Sequence, residues 1–130
     1  MPTTGTGISR VGRVTVPVSD QDRSIAFYTE VLGMEVRTDV TMEGEGSYRW
    51  VEVAPPGAVT SIAIVPPMEG ETPGIQTRVG LSSPDVDADY ARLKAAGVDV
   101  DAELLQWPGV PPMFSLRDPD GNTLYLVERM

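Results

Sequence analysis

Apolar and polar residues alternate over residues 13–18, placing Val14, Val16 and Val18 on one face and Arg13, Thr15 and Pro17 on the other. A period of two built from β-branched residues predicts a strand that lays one face on a core. Ser19 and Asp20 follow as helix N-cap candidates, since a short side-chain oxygen can accept from the free amides of a first turn. Ile25, Tyr28 and Leu32, flanked by Phe27 and Val31, recur at helical spacing, and Gly33 supplies the stop. Strands are predicted at 35–42, 48–54 and 61–65, with turns at 43–46 and 55–57 where Gly and Pro break the pattern.

Residues 66–74 are rich in Pro and Gly and carry no apolar period, which reads as a linker. The same order of elements then begins again. Residues 78–82 form a strand with Val79 and Leu81 on one face, Asp85 caps a helix striped by Val86, Tyr90 and Leu93, and Gly97 ends it. Strands are predicted at 98–105, 113–117 and 123–128. The repetition extends to residue types: Arg13-Val14-Thr15-Val16 answers Arg78-Val79-Gly80-Leu81, and Ala54-Pro55-Pro56-Gly57 answers Asp118-Pro119-Asp120-Gly121. Each half reads βαβββ. A half of about 60 residues with one helix is too small to bury a good core alone, so the halves must pair, within a chain or between chains.

Composition narrows the function. The chain has 130 residues, a length suited to one domain, and its 41% hydrophobic and 22% charged content is that of a folded globular protein. A net charge of −9 argues against nucleic acid, whose phosphates demand clustered Lys and Arg. No apolar run is long enough to span a membrane. The segment Met1 to Gly7 lacks an apolar h-region and is expected to be a frayed tail rather than a signal peptide. With no Cys there is no disulfide framework, and a cytoplasmic setting is expected. The absence of both His and Cys excludes Ser-His and Cys-His nucleophile systems. Gly44 and Gly46 alternate with Glu43 and Glu45, whose charge would repel phosphate, so no phosphate loop is present.

Certain residues carry a family likeness. Val14-Thr15-Val16-Pro17-Val18-Ser19-Asp20, then Ser24-Ile25-Ala26-Phe27-Tyr28 and Leu32-Gly33, resemble the opening module of the vicinal oxygen chelate superfamily, the glyoxalase, bleomycin-resistance and extradiol dioxygenase group. Asp85-Val86-Asp87-Ala88, Leu93-Lys94-Ala95-Ala96-Gly97-Val98 and the block Arg117-Asp118-Pro119-Asp120-Gly121-Asn122 resemble its second module. The resemblance implies an α+β fold of two βαβββ modules in one domain over residues 1–130: module one at about 8–65, the linker, and module two at about 75–128. It further implies a curled, cup-like mixed sheet with helices on the outer face, a ligand inside the cup, and a homodimer in which the cup closes within one chain or across two. The apolar strand faces would lie under the helices and the mixed faces would line the cup.

Enzymes of this superfamily hold a divalent metal with His, Glu or Gln at four matched strand positions. Those positions are occupied here by Arg13, Ala63, Arg78 and Tyr125. Arg donates hydrogen bonds and accepts none, and Ala has no ligand atom. No metal or other cofactor is therefore expected. An oxygen-rich Mg or Ca site would face two opposing guanidinium charges. Asp118, Asp120 and Asn122 superficially resemble a calcium loop, but the Gly comes too early and the twelfth position is Arg129 rather than Glu. The block reads better as a hairpin turn, with Pro119 starting the bend.

The expected ligand-binding residues are Arg13, Thr15, Tyr48, Trp50, Glu52, Arg78, Trp107, Met113 and Tyr125. Arg13 and Arg78 occupy equivalent places in the two halves, where they would clamp an anion or a polarised carbonyl, pair with carboxylates such as Glu52, or emerge to solvent at a strand end. Tyr48, Trp50, Trp107, Met113 and Tyr125 supply apolar walls or ordinary packing. The reading that follows is a metal-independent small-molecule-binding protein that sequesters a drug or metabolite. The alternative is a glyoxalase-like isomerase or lyase, or a dioxygenase-related enzyme, with Arg as electrophile and Glu52 or Tyr125 moving protons. A third is an interaction domain with a filled cup.

Overall fold

In the computed structural model, residues 5–44 and 46–129 are described. Most of the tail expected at the N-terminus, and Glu45 of the turn at 43–46, lie outside them. Strand β1 (Arg13–Pro17) leads to helix α1 (Gln21–Ala26), then to strands β2 (Glu35–Met42), β3 (Tyr48–Ala54) and β4 (Ser61–Val65). The second half repeats this as β5 (Gln76–Ser83), α2 (Val86–Ala95), β6 (Asp99–Val100), β7 (Met113–Arg117) and β8 (Thr123–Glu128). Each half is a mixed sheet, ordered β1-β4-β3-β2 and β5-β8-β7-β6, with one parallel pair (β1 with β4, β5 with β8) and antiparallel neighbours beyond. The sheets are hydrogen-bonded separately, so β1 and β5 are both edge strands. No helix among the described residues is long and apolar enough to cross a membrane.

Both helices start where their caps predict. The Asp20 carboxylate accepts from the Arg23 amide at 3.0 Å and that of Asp85 from the Ala88 amide at 3.1 Å, satisfying donors that a first turn leaves free. The helix expected to run to Leu32 instead loosens into a π turn over Phe27–Val31, where the Leu32 amide reaches the Phe27 carbonyl at 3.1 Å. One core crosses both halves. Val16, Ile62, Ile64, Val51 and Val53 of the first sheet, and Leu124, Leu126, Phe114 and Leu116 of the second, cluster with Tyr28, Met34, Val86 and Leu93. Val14, Val79 and Leu81 are only partly buried against it.

Two strands depart from expectation. The strand predicted at 98–105 is ordered as β only at Asp99–Val100, followed by a lone bridge from Leu105 to Met113. Asp101 explains this: its carboxylate accepts from the Ser115 amide at 2.8 Å and from Arg117 Nη2 at 2.9 Å. A side chain thus takes a role that a strand would give to its backbone. The strand predicted at 78–82 begins earlier, at Gln76, and its pairing jumps from Gln76 with Thr123 to Gly80 with Tyr125. The intervening bulge is absent from the equivalent strand of the first half, where β1 pairs with β4 without interruption from Arg13 to Pro17.

The turn at Asp118–Asn122 joins the halves. The buried Asn122 side chain donates from Nδ2 to the Pro17 carbonyl at 2.9 Å and to Asp118 Oδ2 at 3.0 Å. Its Oδ1 accepts from the amides of Gly74 and Ile75 at 2.8 and 3.0 Å, pinning the end of the linker. The Tyr28 hydroxyl donates to Asp118 Oδ2 at 2.8 Å, and burial together with the Asp118 charge pushes that phenol up.

Candidate functional site

Residues two apart on a strand share a face, so β3 presents Tyr48, Trp50 and Glu52 together. In register, Glu52 stands opposite Ala63 of β4, and Ala63 opposite Thr15 of β1. Arg13 reaches across the sheet, its Nε donating to Glu52 Oε2 at 2.8 Å. Trp50 Nε1 donates to the same oxygen at 2.7 Å, and the Tyr48 and Trp50 rings lie 6.3 Å apart. Of the readings the sequence leaves for Arg13, the structure realises the ion pair. Glu52 is buried while the Arg13 side chain is half exposed.

Burial alone would raise the Glu52 pKa. The hydrogen bonds from Trp50, Arg13 and Ser61 and the Arg13 charge outweigh burial and hold it below the ordinary value of 4.5. A depressed carboxylate stabilises the fold fully above its unfolded pKa, and that contribution is lost as pH falls through the folded value. Glu52→Gln keeps an acceptor for both donors but removes the charge. The stability gap between wild type and this variant, measured by urea unfolding, is expected to be widest near neutral pH and to narrow progressively as pH falls below the ordinary carboxylate value of 4.5. A gap that stays constant with pH would contradict this assignment.

Between β1 and β5, with the turn before β4 alongside, lies a cavity of about 600 Å³ that is open to solvent. Val14, Ile62, Val79 and Leu81 give it apolar walls, and Thr15 and Arg78 line it from the expected set. Arg78 is the one ionisable residue of the lining. It sits in the β5 bulge at φ 60°, and among the described residues its guanidinium has neither an ion pair nor a hydrogen bond. The polar cavity residues Thr60, Ser61, Thr77 and Ser82 escaped sequence reasoning; the first two lie beside and at the start of β4, the last two on the edge strand β5.

The remaining expected residues fall elsewhere. Tyr125 of β8 stands between Gly80 and Ser115, and Met113 of β7 opposite Val127, both half-buried on the second sheet. Trp107 is 63% exposed in a turn closed by the Val110 amide to its carbonyl at 3.0 Å, and is not part of the cavity lining. The structure thus gathers Arg13, Tyr48, Trp50 and Glu52 into one group and Thr15 and Arg78 into another, and leaves Met113, Tyr125 and Trp107 outside both.

The residues at the superfamily's metal positions do not fit a divalent ion. Arg13 is a donor already bound to Glu52, Ala63 offers no ligand atom, and Arg78 adds a second positive charge. The carboxylate opposite Ala63 in register, Glu52, already accepts at Oε2 from Arg13 and Trp50. Among the described residues no group of three or more His, Cys, Asp and Glu is placed to hold a metal.

Comparison with known proteins agrees with this architecture. TnmS3, described as an antibiotic binding protein from Streptomyces sp. CB03234, is 36% identical with a TM-score of 0.82, the match covering 96% of this chain and 99% of that one. A glyoxalase/bleomycin resistance protein/dioxygenase superfamily member from Sphaerobacter thermophilus DSM 20745 is 34% identical with a TM-score of 0.86, covering 94% of this chain and 98% of that one. The Bacillus subtilis (strain 168) protein YetH is 32% identical over 125 residues, covering 93% of this chain and 99% of its own length. The family model of the Glyoxalase/Bleomycin resistance protein/Dioxygenase superfamily matches residues 10–126, and the chain belongs to that superfamily.

Proposed function

We propose that this protein binds a small, largely apolar molecule in the cavity between β1 and β5, without a metal, and serves to sequester it. The observation that carries the reading is the chemistry of the four strand positions: guanidinium, methyl and phenol groups stand where a dication would need donors, beside a cavity large enough for an organic ligand. The likeness to TnmS3, an antibiotic binding protein, supports a drug or drug-like metabolite as ligand class. The Arg13–Glu52–Trp50 group speaks against catalysis by Glu52, because the two donors lower the proton affinity of the carboxylate that would serve as base and occupy its oxygen. The homodimer and the cytoplasmic setting expected from the sequence belong to the same proposal.

A thermal-shift screen of antibiotics and aromatic metabolites, run in chelator, is expected to find compounds that raise Tm with increasing concentration. Turnover of hemithioacetal or catechol substrates on adding divalent ions would overturn the proposal in favour of an enzyme.

A further inference from the structure

We infer that the ligand of the β1–β5 cavity carries one anionic group, a carboxylate, sulfonate or phenolate, set against Arg78, on a skeleton that is otherwise apolar. The inference rests on the proposed binding function and specifies its ligand class.

The two arginines at equivalent repeat positions are treated differently by the fold. Arg13 lies in an unbroken strand and is neutralised by Glu52. Arg78 lies in a bulge, and no carboxylate lines the cavity beside it. A bulge re-aims a side chain, and this one is held by side chains of its own strand. Gln76 Oε1 accepts from the Arg78 amide at 3.2 Å, and Thr77 Oγ1 accepts from the Val79 amide at 3.0 Å while donating to the Thr123 carbonyl at 2.7 Å. The ladder bonds the bulge gives up are thus partly replaced locally, and a non-glycine residue is held at positive φ, where an L side chain crowds its own carbonyl. Strain of this kind persists where the surroundings impose it, and here its product is an unpaired cation on an otherwise neutral wall.

An Arg offers a planar fork of donors that matches a carboxylate or sulfonate in two parallel hydrogen bonds. The chain's overall charge of −9 does not cancel this attraction. Beyond a Debye length of about 8 Å at physiological salt, exposed carboxylates are largely screened, whereas an anion in the cavity would touch the guanidinium. Thr15, Thr60, Ser61, Thr77 and Ser82 add neutral hydroxyls to the same lining and no opposing charge.

Fluorescence titration with a matched pair of probes tests the inference: 1-anilinonaphthalene-8-sulfonate and the uncharged N-phenyl-1-naphthylamine, which share a ring system. Wild type is expected to bind the sulfonate about five- to tenfold more tightly, somewhat less than a buried charged hydrogen bond gives because Arg78 is exposed to solvent. Arg78→Gln should bring the ratio to about one, Arg78→Lys should restore part of it, and Lys94→Gln, on helix α2 outside the cavity lining, should leave it unchanged. Arg78→Gly should also abolish the preference without lowering Tm, since glycine tolerates the left-handed backbone; a merely structural arginine would not behave so. Equal affinity of the two probes for wild type would overturn the anionic group while leaving apolar binding in place. A preference that survives Arg78→Gln, or that is lost in Lys94→Gln, would overturn the role of Arg78. Failure of both probes to bind would overturn the cavity as a binding site and the proposed function with it.

Discussion

Asn122→Ala is expected to lower the unfolding free energy by about 3–5 kcal/mol, the largest single loss outside the apolar core. Asn122 is fully buried and uses both ends of its amide. Alanine would leave the Pro17 carbonyl, itself on a buried residue, without its side-chain donor, and an unsatisfied buried group costs about 1–3 kcal/mol. The charge-assisted bond to Asp118 would go with it, worth about 1.5–3 kcal/mol. The Gly74 and Ile75 amides are more open to water, so their loss is cheaper. Urea unfolding at neutral pH measures the effect, and a loss below about 1 kcal/mol would mean that the halves are not held by this turn.

Gly74→Ala is expected to cost about 2–3 kcal/mol through the same joint. Gly74 lies at φ +97°, and a Cβ there would meet the Asp120 carbonyl oxygen at 3.0 Å. That neighbour is backbone, in a turn fixed by the Asp118 carboxylate, which accepts from the Asp120 and Asn122 amides at 2.9 Å each. Because Gly74 donates directly to Asn122, the two substitutions should be non-additive, the double variant losing less than the sum. Strict additivity in a double-mutant cycle would separate the linker from the turn.

Much of the fold was legible because its signals are local. β2, β3, β4, β7 and β8 span the ranges that alternation and β-branching predict, and Asp20 and Asp85 cap the helices for the reason a short carboxylate should. The two strand departures share one cause, a side chain taking over a backbone partner. Asp101 shortens β6, and Gln76 with Thr77 supports the bulge of β5. The turn at Asp118–Asn122 was readable as a turn, but its grip on Pro17 and Gly74 spans sequence separations of 105 and 48 residues and leaves no local pattern.

The candidate site was legible to the same depth. That Trp50 and Glu52 share a face follows from their spacing, and Glu52 was a named partner for Arg13. The contrast between Arg13 and Arg78 was not readable, because the repeat makes them look alike and only the register shift in β5 separates them. The cavity arises where two separately bonded sheets bring their edges together, which no single segment encodes.

The account's central claim, ligand binding without a metal, is tested most directly by one calorimetric titration. The compound giving the largest thermal shift is titrated into the protein in excess EDTA, then into protein equilibrated with Mn²⁺ and Zn²⁺. The account predicts Kd values that agree within about twofold. A Kd weakened about tenfold or more in the chelator, with metal bound stoichiometrically in the other arm, would contradict it.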